Sequence, residues 1–61
     1  MKRRDLIRHL IVHGCVFVRE GQSHTIYENA VTGQRVPIPR HRDILIPLAK
    51  AICRQLEIPA P

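Results

Sequence analysis

Between Cys15 and Pro39 three runs of strand-forming residues follow one another, with connections too short for any crossover. "CVFVR" is β-branched and aromatic, "EGQS" turns it, "HTIYEN" is a second run, "NAVTG" reverses it, and "QRVPIP" is a third. Parallel neighbours need a dozen or more residues between them, so these strands pair antiparallel in chain order. Pro37 has no N–H to give to a ladder, which puts the third strand at an edge. The connection lengths predict a register with Glu28 opposite Gln34, Ile26 opposite Val36, His24 opposite Ile38 and Phe17 opposite Ile26. Phe17, Ile26 and Val36 then form an apolar row toward the core. His24 is expected on that same face where the core ends, with Arg19 beside it. The opposite face would carry Val16, Val18, Thr25, Tyr27 and Arg35. Val16, Val18 and Tyr27 together make a candidate association surface there.

The flanking segments read as helices. Leu6, Ile7, Leu10 and Ile11 form one stripe at helical spacing, which predicts a helix over residues 3–13 with Gly14 as its left-handed C-terminal residue. Ile46 precedes Pro47 and so avoids the α region, while proline suits a first helical position. The second helix is therefore expected from Pro47 to Glu57, with a start at Asp43 as the alternative. Leu48, Ala49, Ile52 and Leu56 would face inward. The whole chain, residues 1–61, reads as one α+β domain of order α-β-β-β-α, with both helices on one face of a three-stranded antiparallel sheet.

Sixty-one residues lie near the lower limit for a core without metal or disulfides. Cys15 and Cys53 are too few and too far apart for a disulfide framework or a zinc cluster, and are expected as buried free thiols. Arg8, His9 and His13 interrupt any apolar N-terminal stretch, so no signal peptide or membrane span is expected and the chain should stay in the cytoplasm. Ten Lys and Arg against five Asp and Glu leave a formal charge of +5. Such a balance favours a polyanion, because each phosphate neutralised releases condensed counterions. An acidic protein partner, or a basic surface with no function, is the plainer reading. Lys2, Arg3, Arg4 and Arg8 read either as a phosphate-tracking patch on the first helix or as a solvated face.

The run "MKRRDLIRHL…HGCVFVREG…SHTIY…TGQRVPIPRHRDI…LAKAICRQL" resembles the HicA family of small toxins from bacterial toxin–antitoxin pairs, over nearly the whole chain. Its most specific parts are Gly14–Cys15, the Ser23–His24–x–x–Tyr27 run, and Val36–Pro37 followed by His41. The resemblance implies a fold like a double-stranded-RNA-binding domain, cleavage of mRNA, and neutralisation by a HicB antitoxin. It also implies that His24 is the catalytic histidine; on its own, His24 reads as an ordinary rim residue. Two positions depart from the common pattern. Gln22 stands where many members have glycine before the Ser-His pair, with Gly21 one place earlier. Glu57 stands where many end the second helix with Leu-Gly-Ile.

RNA carries its own nucleophile, the 2′-OH, so the protein need only move protons and stabilise phosphate charge. Histidine suits the first task and arginine the second. His24 is the expected general base or acid, with Arg19 and Arg40 on phosphate. His41 is either a second proton carrier or structural. Ser23, Tyr27, Val16 and Val18 would support the site or contact the antitoxin, and His9 and His13 would be solvated. Asp5, Glu20, Glu28, Asp43 and Glu57 form no evident carboxylate cluster, so the chemistry is expected to need no metal and no cofactor. A non-catalytic RNA-binding module that blocks translation by occupancy, and an adaptor docking an acidic protein, are the alternatives.

Overall fold

Two amphipathic helices and three short strands bury one aliphatic cluster between them. The computed structural model describes residues 1–61 and orders them as α1 (Arg3–Val12), β1 (Cys15–Glu20), β2 (His24–Asn29), β3 (Arg35–Pro39) and α2 (Ile46–Gln55). The sheet runs β1-β2-β3 and is antiparallel throughout, which is the α+β order expected. Leu6 and Leu10 of α1 and Ala49, Ile52 and Cys53 of α2 pack with Cys15, Tyr27, Val36 and Ile38 from the sheet. Ile44 and Leu56 complete the same cluster. Both cysteines are buried and free, and burial pushes both thiols up, which removes them as nucleophiles. α2 begins one residue earlier than expected, with Pro47 in its first turn. Leu48 is exposed rather than inward, while Cys53 is buried beside Ala49 and Ile52, as expected.

The register differs from the expected one, and the difference turns β2 over. Tyr27 pairs with Val36 and Thr25 with Ile38, so His24 stands opposite Pro39 and Ile26 opposite Pro37. On the other side Phe17 pairs with Tyr27, and a bulge at Val18 brings Arg19 opposite Ile26. The apolar row is thus Phe17–Tyr27–Val36, with the Phe17 and Tyr27 rings meeting edge to face at 6.1 Å. Because side chains alternate, this one-residue slip sends Thr25, Tyr27 and Asn29 inward and His24, Ile26 and Glu28 outward.

Asn29 sets the slip. It closes β2 instead of opening the turn, and its backbone N–H donates to Gln34 O at 2.8 Å. Its carboxamide oxygen accepts from the N–H groups of Val31 (2.9 Å) and Thr32 (3.3 Å). Its amide Nδ2 donates to Leu56 O at 2.7 Å, at the end of α2. The reversal then closes with Gly33 at φ +79°, a conformation open to glycine without steric cost. With Asn29 bonded to Gln34, the outward-facing N–H positions of β3 fall at residues 35, 37 and 39. Two of these are Pro37 and Pro39, so the edge predicted from Pro37 is realised with a second proline.

α2 ends in a Schellman motif: Glu57 N–H donates to Arg54 O (3.1 Å) and Ile58 N–H to Cys53 O (3.0 Å). Glu57 sits in the left-handed region at φ 59°, the one non-glycine residue that does so. Glu57→Gly should raise unfolding stability by about 1 kcal/mol, since an L side chain in that conformation costs about 1–2 kcal/mol. Asn29→Ala should lower it by about 2 kcal/mol, because Leu56 O and two turn N–H groups lose their partner. Chemical denaturation of the two variants against wild type checks both signs.

Candidate functional site

The loop that presents His24 is held by an arginine from the far side of the sheet. Arg40 Nη1 donates to Glu20 Oε1 (2.8 Å), His24 O (3.0 Å) and Gly21 O (3.1 Å), and Nη2 donates to Gln22 O. Gly21 N–H closes the turn on His24 O at 2.6 Å. A Cβ at position 21 would meet that same oxygen at 3.0 Å, so any larger residue there would crowd the turn. Behind the turn, Thr25 Oγ1 donates to Glu20 Oε1 at 2.8 Å and accepts from Arg3 Nη2 at 2.8 Å. Arg3 Nε donates to Pro39 O at 2.9 Å, opposite His24 in the ladder. The Thr25 hydroxyl, followed by Arg40 and the charge of Arg3, holds the Glu20 carboxyl below its ordinary range.

These bonds reassign two expected phosphate ligands. The Arg40 guanidinium faces protein oxygens, and Arg3 ties helix α1 to the ends of β2 and β3. Arg19 has no ion-pair or hydrogen-bond partner and lies close to the turn. Its Nη1 would be 3.7 Å from a Cβ at Gly21.

His24 is exposed on the open face of the sheet, not on the helix-covered face expected from the sequence. It lines an open groove of about 490 Å³ that follows β3 to α2. His41 lines the same groove, with Pro37 and Pro39 on the strand side and Leu48, Ala51 and Gln55 on the helix side. The structure therefore brings two imidazoles to one cleft. Ser23 is exposed in the turn before His24. Tyr27, expected on the open face, is 8% exposed and belongs to the core, so it supports β2 and is closed to a partner. Val16 is 46% exposed and Val18 half-buried, so the association surface loses its aromatic member. His9 is not simply solvated: its Nε2–H donates to Pro59 O at 2.7 Å, and its carbonyl accepts from His13 Nδ1–H at 2.9 Å.

A second cavity, about 220 Å³, is lined by Lys2, Arg3, Arg4 and Arg42 alone. Arg42 was absent from the expected set. It arrives there because residues 42–44 pair with the N-terminus, through Arg3 N–H to Arg42 O and Ile44 N–H to Met1 O, both 2.8 Å. A basic residue beyond β3 carries no local mark of that return. No group of three or more His, Cys, Asp or Glu side chains comes together to hold a metal ion.

A family model described as the HicA toxin of bacterial toxin–antitoxin systems matches residues 3–58. The chain belongs to the HicA toxin family. No curated protein and no solved structure matches it. Membership makes this HicA-family chain a toxin of a toxin–antitoxin pairing. No helix is long and apolar enough to cross a membrane.

The lowered Glu20 carboxyl fixes the sign of an acid effect. Its ionised form contributes fully above the ordinary value of 4.5 and is lost as pH falls through the lower folded value. Wild-type Tm should therefore drop more steeply below pH 4.5 than that of Glu20→Gln, which should already melt lower at neutral pH. Thermal melts across pH 2–8 on both proteins check this.

Proposed function

We propose that this HicA-family toxin is an endoribonuclease that cleaves mRNA without a metal, arresting translation and growth until a HicB-type antitoxin binds it. The observation that carries the reading is the meeting of His24 and His41 in one open groove, in a chain of this family. One histidine removes the 2′-OH proton, the 2′-oxygen attacks phosphorus, and the P–O5′ bond breaks. The departing 5′-oxygen takes a proton from the other histidine. His24, on the braced turn, is the primary proton carrier, and His41 is the second. Arg19, unpaired beside that turn, is the phosphate ligand in place of Arg40. The metal-free route is supported by three of the five carboxylates being taken up in ion pairs: Asp5 with Arg8, Glu28 with Arg35 and Glu20 with Arg40. The antitoxin inhibits by covering this groove and offering acidic groups to the basic surface.

Incubating wild type and His24→Ala with a defined mRNA, with and without chelator, is the direct test. Wild type should yield fragments in both conditions, and His24→Ala should cut at least about 100-fold more slowly. The circular-dichroism spectrum should not change, because the side chain is exposed. Undiminished cleavage by His24→Ala defeats the assignment, and intact RNA bound by wild type would make the chain an occupancy inhibitor.

A further inference from the structure

We infer that the cavity formed by Lys2, Arg3, Arg4 and Arg42 is a second phosphate subsite, which holds one backbone phosphate of an RNA strand away from the bond that is cut. The inference rests on the RNA reading of the His24 groove and adds a separate anchoring point to it. The cavity has no apolar and no acidic residue in its wall. Three of its four cations, Lys2, Arg4 and Arg42, make no side-chain hydrogen bond or ion pair, although Asp5 and Asp43 lie nearby in the chain. Asp5 instead faces Arg8 at 3.8 Å, and Asp43 meets Lys2 only as a backbone bridge.

Like charges repel when gathered, so such a cluster lowers stability unless an anion fills it. The cluster is nevertheless held in place by the fold. The Lys2–Asp43 bridge and the Arg3 N–H to Arg42 O bond (2.8 Å) join the two segments, and the N-terminal amine donates to Ile44 O at 2.7 Å. Arg3 is turned inward onto Thr25 and Pro39, which fixes the cavity's inner wall. At about 30 Å³ per water, a cavity of about 220 Å³ admits a tetrahedral oxyanion with part of its hydration shell. Arginine forks match phosphate oxygens, and preformed donors lose little freedom on binding.

The Arg3 bond to Pro39 also joins this cavity to the strand residue opposite His24. A phosphate held there sits across the end of the sheet from the groove. It therefore contributes to how tightly and in what register RNA is held, not to the proton transfers.

The test uses the full chain carrying His24→Ala, so that RNA stays intact, and adds Arg4→Gln with Arg42→Gln. Neither added change removes a side-chain bond, and Arg54→Gln on α2 is the control. Affinity for a single-stranded RNA oligonucleotide is read by fluorescence anisotropy over a salt series. The paired variant should bind about fivefold to tenfold more weakly at 0.1 M salt, and its log–log salt slope should be shallower by about 0.7 or more. Arg54→Gln should leave both unchanged. In parallel, inorganic phosphate titrated into the His24→Ala protein should shift the amide resonances of residues 2–4 and 42 saturably, and those shifts should vanish in the paired variant. An unchanged salt slope overturns the subsite and leaves the cavity to a protein partner, as does equal response to acetate and phosphate. Neither readout depends on cleavage, so failure of the nuclease reading shows separately, as intact RNA with the wild-type protein.

Discussion

A single carboxylate at the end of β1 organises the end of the sheet that carries His24. Glu20 accepts from Thr25 and Arg40, Thr25 accepts from Arg3, and Arg3 reaches Pro39. Helix α1, all three strands and the segment after β3 thereby meet in one hydrogen-bonded chain. Isolated surface ion pairs contribute little, but a network that shares partners restricts each side chain once for several bonds. Its effect is geometric. Removing the charge of Glu20 frees Arg40 from one of its acceptors, and the loop before His24 then depends on carbonyl contacts alone. His24 opens β2 directly after this loop, so the network fixes where that residue stands.

The division of labour among arginines follows from the same arrangement. Arg40 and Arg3 look like phosphate ligands in the sequence, yet both satisfy backbone and side-chain oxygens of the protein. Arg19, Arg4 and Arg42, which make no side-chain bond, stand around them. Positive charge at this end of the molecule therefore serves two purposes. One set holds the scaffold through bonds to protein oxygens; the other remains open to a polyanion.

Much of the architecture was legible in the residues. Helical spacing located α1 within one residue, Gly14 took the positive φ expected of it, and Pro37 marked an edge strand. The face of β2 was not legible. Its two alternating sets, His24–Ile26–Glu28 and Thr25–Tyr27–Asn29, each hold one large apolar residue, so periodicity could not choose between them. The choice was made by Asn29, whose bonds to the turn and to Leu56 O need the fold already assembled. His24 consequently moved from the covered side of the sheet to the open one. The motif singled out His24, but the residues around it were not legible. Arg42 was missed for a related reason, since only the pairing of residues 42–44 with the N-terminus brings it to Lys2.

The prolines of β3 have an effect beyond the groove they line. A free sheet border is ordinarily a template on which a second copy, or an unfolded neighbour, can add a strand. Here the border at β3 offers no amide hydrogen at residues 37 and 39, and the other border is twisted by the irregularity at Val18. Strand-by-strand zipping of one molecule onto another is thus blocked at one side and mismatched at the other. A basic, sparsely aromatic chain of this size keeps its sheet open for a ligand without letting that sheet grow.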